Sequence, residues 1–380
     1  MNETILTWLV FILAFGGMIL IHEFGHFIAA RLCKIEVEEF GIGLPTPGAL
    51  TLFTWQGTRF TLNWLPLGGF VRPKGENDPN VEGGLAAASP WKRLVVLLAG
   101  PLMNLLTALI VFGIIINRSG GIITSQPDTT APTHLLITSV VRDSPAKTAG
   151  FQVGDALLSG SGRAILSYDD LRAIVEENVD KPVVFMVERD GKTFELTTTP
   201  RMNKQENRAM IGVSFCTGCR FVPVNTPGEN LRYSLQYTGS QMRALVTLPV
   251  QLIRGTVAPE QGRLIGLKGI FDIMKQSVAN DVEASNTPST SASSGPLDKP
   301  VQTLFLIASL SISLGIFNLF PFPALDGGRI IFVLPELIFR RRVSPRVENL
   351  IHGMGMAFLL LLMIYINVMD FINPVNVTMP

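Results

Sequence analysis

Charged residues are scarce in this sequence, and neither sign predominates. Only 16% of the 380 residues are Asp, Glu, Lys or Arg, whereas soluble proteins carry about 25%. The formal net charge is +1, so the chain lacks the basic excess of a nucleic-acid-binding protein and we expect no nucleic-acid partner. Apolar residues make up 47% of the chain and give a mean hydropathy of +0.36. This composition predicts a membrane protein.

Cysteine is also scarce. Three cysteines in 380 residues cannot form a disulfide framework. Cys216 and Cys219 have the spacing of a redox pair or of half a zinc site, but no second pair is present to complete a four-cysteine site. We therefore expect either a local disulfide or two free thiols there, and no oxidoreductase activity. Cys33 is isolated and is expected to be structural.

Four long apolar runs are candidates for crossing a membrane. Each approaches the length of about 20 residues that spans a bilayer, and they cover residues 5–30, 94–116, 301–320 and 354–368. The third run is rich in small residues, which let helices approach closely in lipid. A shorter apolar run, 330–339, is expected to be an interfacial or re-entrant piece. Membrane lipids are therefore predicted partners.

The orientation follows from basic residues near the ends of these runs. Lys and Arg occur repeatedly between the first and second runs, for example at Arg31 and Lys34, and again between the third and fourth, as in Arg340–Arg342. The segments 1–4 and 369–380 contain none. Because basic loops stay in the cytoplasm, both termini and the long segment 117–300 are predicted to be extracytoplasmic.

The chain divides into five predicted regions. They are an N-terminal membrane part with two spans and an intervening β-hairpin (1–116), an extracytoplasmic α+β module (117–205), a connecting region (206–283), a flexible linker rich in Ser, Thr and Pro (284–300) and a C-terminal membrane part (301–380). In the module, Ser167 and Asp170 have the spacing of a capping box at the start of a helix. The connecting region includes a predicted amphipathic helix, 231–254.

The first apolar run ends in a motif that carries chemistry. His22-Glu23-Phe24-Gly25-His26 has the H-E-x-x-H pattern, in which two histidines four residues apart share one face of a helix and can bind one zinc ion. Glu23 is then placed to remove a proton from a water molecule. Three ionisable groups at membrane depth are costly unless an interaction such as a metal compensates them, so a chance match is disfavoured.

A catalytic zinc site of this kind needs a third protein ligand. The remaining histidines, His134 and His352, are candidates. Asp326 is another, because it follows two prolines that break the end of the third apolar run, and broken helix at membrane depth is tolerated where it lines a polar site. On local pattern alone, the commoner role for Asp326 is to cap the short helix that begins near Gly327.

At this point the sequence resembles a known family. The motif at 22–26, together with the downstream Asn-x-x-Pro-x-Pro-x-Leu-Asp-Gly at 318–327, is similar to that of the site-2 proteases, and most closely to the bacterial regulator-of-sigma-E type. The segments 66–71 and 99–104 also resemble that group, and 144–155 is similar to the start of its PDZ domains. The resemblance covers most of the chain.

The resemblance implies a fold and a set of roles. The fold is a polytopic α-helical membrane protein with about four transmembrane helices, a membrane-associated β-hairpin and an extracytoplasmic α+β PDZ-like domain, in the bacterial inner membrane. The implied zinc ligands are His22, His26 and Asp326. Glu23 would be the catalytic base, Asn318 would hold the substrate backbone, and the strand near Gly69 would pair with an unwound substrate.

The implied activity is intramembrane zinc metalloendopeptidase action on single-span membrane proteins, with an anti-sigma factor as the expected type of substrate. The PDZ-like domain implies a possible peptide ligand. One alternative is a catalytically silent scaffold that binds envelope proteins through this domain, although the intact Glu23 weighs against it. Another is a transporter, disfavoured because only four spans are present and no paired broken helices occur in two halves.

Overall fold

The computed structural model describes residues 3–76, 78–125, 134–141, 144–189, 191–203, 208–256, 262–286 and 300–373. Within these ranges the helices are α1 (Glu3–Leu32), α2 (Pro90–Ser119), α3 (Pro145–Ala149), α4 (Tyr168–Glu177), α5 (Pro227–Ile253), α6 (Leu267–Asn286), α7 (Gln302–Leu319), α8 (Asp326–Phe339) and α9 (Pro345–Ile372). The described residues form two compact units, one from the described parts of 1–113, 232–280 and 302–376 and the other from those of 114–231 and 281–301.

Four of these helices are long and apolar enough to cross a membrane. They are Thr4–Leu32 in α1, Pro90–Ser119 in α2, Gln302–Leu319 in α7 and Pro345–Ile372 in α9, which confirms the four predicted apolar runs. The fourth begins earlier than predicted because Pro345 occupies the first turn of α9, where its missing N–H costs nothing. Large apolar side chains such as Leu13 and Leu361 are 65% and 68% exposed, as expected of surfaces that face lipid.

The first unit also contains a four-stranded sheet. Its strands are β1 (Val37–Leu44), β2 (Leu50–Trp55), β3 (Thr58–Leu62) and β4 (Leu65–Pro73), in the order β2-β3-β1-β4. The predicted hairpin is present as antiparallel β2 and β3. It does not stand alone, because β1 inserts between β3 and the extended stretch β4. Strand β4 is therefore an edge strand of the sheet, at the end opposite β2.

The sheet is held to α1 by aromatic packing. The ring of Phe27, on α1, lies 5.7 Å from those of Phe40 and Phe60 in edge-to-face geometry, and Phe27 is 4% exposed. Such pairs contribute about 0.5–1.5 kcal/mol beyond their buried area. This packing fixes the sheet beside the helix that carries the histidine motif.

The second unit is built on a six-stranded sheet. The strands involved are β6 (Leu135–Val140), β7 (Ala156–Gly160), β8 (Arg163–Ala164), β9 (Val183–Arg189), β10 (Lys192–Thr198) and β13 (Val213–Thr217). Their order is β10-β9-β7-β6-β13, with β8 paired to β7. The sheet and α4 bury a common apolar core that includes Phe151, Leu157 and Phe185.

Local predictions in this unit agree with the structure. The capping box at the start of α4 is complete, because Ser167 Oγ accepts from the Asp170 N–H and the Asp170 carboxylate accepts from the Ser167 N–H. The predicted module ended at residue 205, but the sheet also takes in β13, which pairs antiparallel with β6. The sheet of this unit therefore continues beyond residue 205.

The remaining strands are short. They are β5 (Gly121–Ser125), β11 (Arg201–Asn203), β12 (Arg208–Met210) and β14 (Cys219–Pro223), which pair as β5 with β14 and β11 with β12. Cys216 and Cys219 form a disulfide, one of the two outcomes expected for them. The predicted amphipathic helix 231–254 lies within α5, apart from its last residue. The predicted linker falls mostly on 287–299, outside the described residues.

Candidate metal centre

Three side-chain atoms converge at the end of the first apolar helix. His22 and His26 lie one turn apart on α1, and their Nε2 atoms are 3.2 Å from each other. Asp326 Oδ2 lies 3.1 Å from His22 Nε2 and 3.4 Å from His26 Nε2. Ligands bound to zinc at about 2.0–2.1 Å in tetrahedral geometry are about 3.3–3.4 Å apart. The three distances fit one zinc ion.

The protonation of the two imidazoles supports the same conclusion. His26 Nδ1 donates to the Val96 carbonyl oxygen at 2.8 Å, so the lone pair of this ring is on Nε2. His22 Nδ1 lies 3.2 Å from Asn104 Nδ2. The other atom of that amide, Asn104 Oδ1, is buried and has no hydrogen-bond partner. Rotating this amide by 180° would let Oδ1 accept from His22 Nδ1, which again leaves Nε2 unprotonated.

With both imidazoles in these tautomers, three lone-pair atoms face one another at the centre. Asp326 Oδ2 is buried and lacks a properly formed hydrogen bond, despite its closeness to both rings. Buried acceptors that face one another repel unless a cation lies between them. His22, His26 and Asp326 are the one group of three or more His, Cys, Asp or Glu side chains in the described part of the chain that could hold a metal ion. This donor set, two imidazoles and a carboxylate, is one that catalytic zinc accepts.

Asp326 reaches the histidines because the chain turns sharply between α7 and α8. The helix α7 ends at Leu319, and two prolines, Pro321 and Pro323, prevent it from continuing. Ala324 then adopts a left-handed conformation with φ of +79°, and α8 begins at Asp326. The turn returns the chain towards α1 within six residues.

Two glycines make this turn possible. A Cβ atom on Gly327 would lie 2.2 Å from the Phe320 carbonyl oxygen, and one on Gly328 would lie 2.2 Å from that of Phe322. The cap position before α8 is Leu325, and no side chain caps the helix there. The alternative interpretation of Asp326 as a helix cap is therefore not what the structure contains. Its carboxylate is free to face the histidines.

The two helices that carry and support the histidines approach each other through glycine. A Cβ on Gly100, in α2, would lie 2.3 Å from His26 Nε2, and one on Gly25, in α1, would lie 2.5 Å from the Ala99 carbonyl oxygen. Both imidazoles consequently rest directly on the α2 backbone. In the sequence, the segment 99–104 is distinguished only by its resemblance to the site-2 proteases. The supporting roles of Val96, Gly100 and Asn104 were missed because they depend on contacts between distant residues.

The remaining predicted site residues lie around this cluster. Glu23 interacts electrostatically with both histidines, and its Oε2 accepts from the Val71 N–H at 3.0 Å. Gly69 lies on β4, where a Cβ would be 3.6 Å from Glu23 Cγ. Asn318 is half-buried in the last turn of α7. His352, a candidate third ligand, instead accepts from the Ala324 N–H, and His134 is not part of the metal-binding group.

Comparison with known proteins identifies the chain. The model of peptidase family M50 matches residues 10–362. This chain belongs to peptidase family M50. Its relatives in that family include a predicted zinc metalloprotease of Clostridium perfringens, 31% identical over 96% of this chain and 98% of the relative. The metalloprotease MmpA of Caulobacter vibrioides is 30% identical over 92% of this chain and 91% of its own length.

Membership of family M50 confirms the resemblance to the site-2 proteases. The protein is a membrane-associated zinc metalloprotease that acts on proteins, and zinc is its cofactor. Among solved structures, the PDZ domain of an SdrC-like protein from Listeria monocytogenes matches 23% of this chain and 90% of that domain, at 18% identity and a TM-score of 0.21.

Proposed function

We propose that the protein hydrolyses peptide bonds within the transmembrane segments of single-span membrane proteins, with zinc held by His22, His26 and Asp326. The observation that carries this proposal is the position of the donor cluster. Two of the three donors project from an apolar helix long enough to cross a membrane, and the third belongs to the broken chain that follows another such helix. A protease centre in that position is suited to a membrane-embedded peptide bond.

Zinc bound by these residues would polarise the scissile carbonyl and lower the pKa of an attacking water. Glu23 takes the proton from that water and later gives it to the leaving amine. Its Oε2 is anchored by the Val71 N–H, which fixes the direction of the carboxylate and leaves Oε1 as the oxygen that exchanges the proton. The contact also ties the base to the edge strand β4.

The free edge of β4 suits an extended substrate. Val71 directs its N–H away from β1 and towards Glu23, and in an antiparallel pair alternate residues point the same way. Gly69, two residues earlier, therefore presents its own N–H and carbonyl along the free edge. A peptide bond inside a transmembrane helix is shielded by hydrogen bonds of its own, and pairing with β4 would replace them once the helix unwinds.

We propose that Asn318 holds the same substrate. Its amide makes no hydrogen bond within the described part of the chain, although the residue is half-buried. It stands eight residues before Asp326, at the end of α7. An amide can donate to a substrate carbonyl and accept from a substrate N–H. We assign it that role.

The placement of the protein follows from charge. We propose a bacterial inner-membrane location with both termini and the PDZ-like unit outside the cytoplasm, supported by the basic residues between the spans. Labelling of single cysteines with an impermeant reagent tests this. A cysteine introduced at Glu195, in the PDZ-like sheet, should react from outside, and one at Arg341 should react after permeabilisation. The reverse pattern would refute the orientation.

The PDZ-like unit offers an edge for a peptide. Strand β13 lies at one end of the sheet order, and Phe215 on β13 stacks on Tyr168 of α4 at 5.6 Å. A peptide that adds to the edge of β13 would lie beside these rings. We propose that this unit binds such peptides and thereby influences which membrane proteins, an anti-sigma factor among them, reach the centre.

The test of the proposed activity is to map cleavage in a reconstituted system. Purified protein and a single-span substrate are placed in the same lipid vesicles, and the products are identified by mass spectrometry. The proposal requires zinc-dependent cuts inside the apolar span. Cuts restricted to the soluble parts of the substrate would refute the intramembrane assignment while leaving the zinc protease assignment intact.

A further inference from the structure

Helix α9 contacts the segment that delivers Asp326 to the metal centre. The contacts come from His352, Gly355 and Phe358, which are spaced three residues apart and so lie along one side of the helix. They meet the chain at Ala324, Pro323 and Phe322 respectively. All three contacted residues belong to the turn between α7 and α8, and Ala324 is two residues before Asp326.

The most specific contact is a hydrogen bond. Ala324 N–H donates to His352 Nδ1 at 2.8 Å. Ala324 has a φ of +79°, a left-handed conformation that a residue with a side chain adopts only where its surroundings hold it. The hydrogen bond to His352 holds the peptide group of Ala324 in this conformation. It thereby helps to set the direction in which the chain enters α8 and presents the Asp326 carboxylate.

The second contact is steric. A Cβ atom on Gly355 would lie 2.5 Å from Pro323 Cβ and 2.6 Å from the Pro323 carbonyl oxygen. Gly355 is buried, whereas Gly353 on the same helix is exposed and has nothing within 4 Å of a Cβ built there. The absence of a side chain at Gly355 lets α9 lie directly against the turn.

We propose that α9 positions the zinc ligand Asp326, with His352 as the positioning residue and Gly355 as the point of close approach. The inference rests on the proposed role of Asp326 as a ligand. It gives His352 a function other than metal binding, because Nδ1 is already occupied by the Ala324 N–H. The proton of the neutral ring is then on Nε2, which is buried without a hydrogen-bond partner.

The inference makes an isosteric substitution informative. The Oδ1 atom of asparagine lies close to where Nδ1 of histidine lies and can accept the same N–H. His352→Asn should therefore preserve the hold on Ala324, although it removes Nε2 and most of the ring. His352→Leu keeps a side chain of similar bulk and removes the acceptor. The two variants separate the hydrogen bond from general packing of α9.

The experiment measures zinc binding by the full-length protein in detergent, by competition with a chromophoric chelator, and records the visible spectrum of the Co²⁺-substituted protein. Loss of a group that orients a metal ligand typically weakens metal affinity about 10–100-fold. We expect this loss in His352→Leu and in Gly355→Ala, with altered Co²⁺ bands. Near-wild-type affinity and spectrum are expected in His352→Asn and in the matched control Gly353→Ala.

The outcomes discriminate between the claims. Wild-type zinc affinity in His352→Leu, or equal loss in His352→Asn and His352→Leu, would overturn the positioning role of the hydrogen bond. If His352→Leu does not fold, the pair Gly355→Ala and Gly353→Ala decides, and equal zinc affinity in those two would overturn the role of α9. Asp326→Ala is measured alongside. Zinc retained in that variant would refute the ligand assignment itself, independently of α9.

Discussion

A methyl group placed at Gly100 should weaken zinc binding strongly. In Gly100→Ala the new Cβ would lie 2.3 Å from His26 Nε2 and 2.9 Å from His22 Cε1. The first distance is about 1.1 Å short of the 3.4 Å at which ordinary contact begins. One substitution therefore intrudes on both imidazoles at the atoms that face the metal.

The required displacement exceeds what the site can absorb. Metal–ligand distances tolerate deviations of about 0.2 Å, and His26 cannot retreat freely because its Nδ1 donates to the Val96 carbonyl oxygen. Moving α1 away from α2 would also be unfavourable, because it would break the close packing of the two helices at Gly25. We expect zinc affinity to fall at least about 100-fold and cleavage to be lost with it.

The assay is zinc content by elemental analysis after dialysis, together with thermal unfolding of the same sample. Gly17→Ala is the matched control, because a Cβ at Gly17 on α1 meets nothing within 4 Å. That variant should keep one zinc ion per chain and wild-type activity. Full zinc occupancy in a folded Gly100→Ala protein would refute the packing argument for the centre.

Three further results are expected in the second unit, which contains the six-stranded sheet. Asp155→Ala should destabilise this unit by about 3–5 kcal/mol, because Asp155 is fully buried and its carboxylate accepts a hydrogen bond from Arg189 Nε at 2.6 Å. Thermal unfolding measures the loss of stability, and a loss below about 1 kcal/mol would contradict the prediction. Glu176→Ala, which removes half of an exposed ion pair, should cost at most about 0.5 kcal/mol. Hydrogen bonds from Ser167 lower the pKa of Asp170, so the stability that this carboxylate contributes is present above its unfolded pKa and is lost as pH falls through the lower folded pKa. The amides at the start of α4 should therefore be less protected from exchange in acid, relative to an unstructured chain at the same pH, and less protected in Asp170→Asn than in wild type at neutral pH. Unchanged protection in both cases would refute this prediction.

Local sequence patterns predicted the four long apolar helices and the capping box, because these features depend on neighbouring residues. The strand β1 escaped prediction. It contains two consecutive glutamates and two glycines, which have low strand propensity. In the structure Glu39 is buried, and its carboxylate accepts from Thr61 Oγ1 at 2.8 Å and from Arg72 Nη1 at 3.0 Å. Partners more than twenty residues away thus make the strand stable.

The metal centre shows the same limit. From the residues alone, Asp326, His134 and His352 remained candidates for the third ligand, and only the family resemblance favoured Asp326. One deciding feature is the turn after α7, whose prolines are visible in the sequence although its direction is not. The other is the close packing of α1 on α2 at Gly100, which depends on residues far apart in the chain. The strand β13 was missed for a similar reason, since its partner β6 lies more than 70 residues earlier.

The central claim, that Glu23 performs proton transfer at a zinc centre inside the membrane, is tested most directly by one comparison. Wild type and Glu23→Gln are reconstituted with a single-span substrate, and zinc content and cleavage rate are measured on the same samples, with Glu38→Gln at an exposed strand position as control. The account predicts one zinc ion per chain in all three and a rate about 10²–10⁴-fold lower in Glu23→Gln alone. Cleavage by Glu23→Gln at the wild-type rate, or active wild type without zinc, would contradict it.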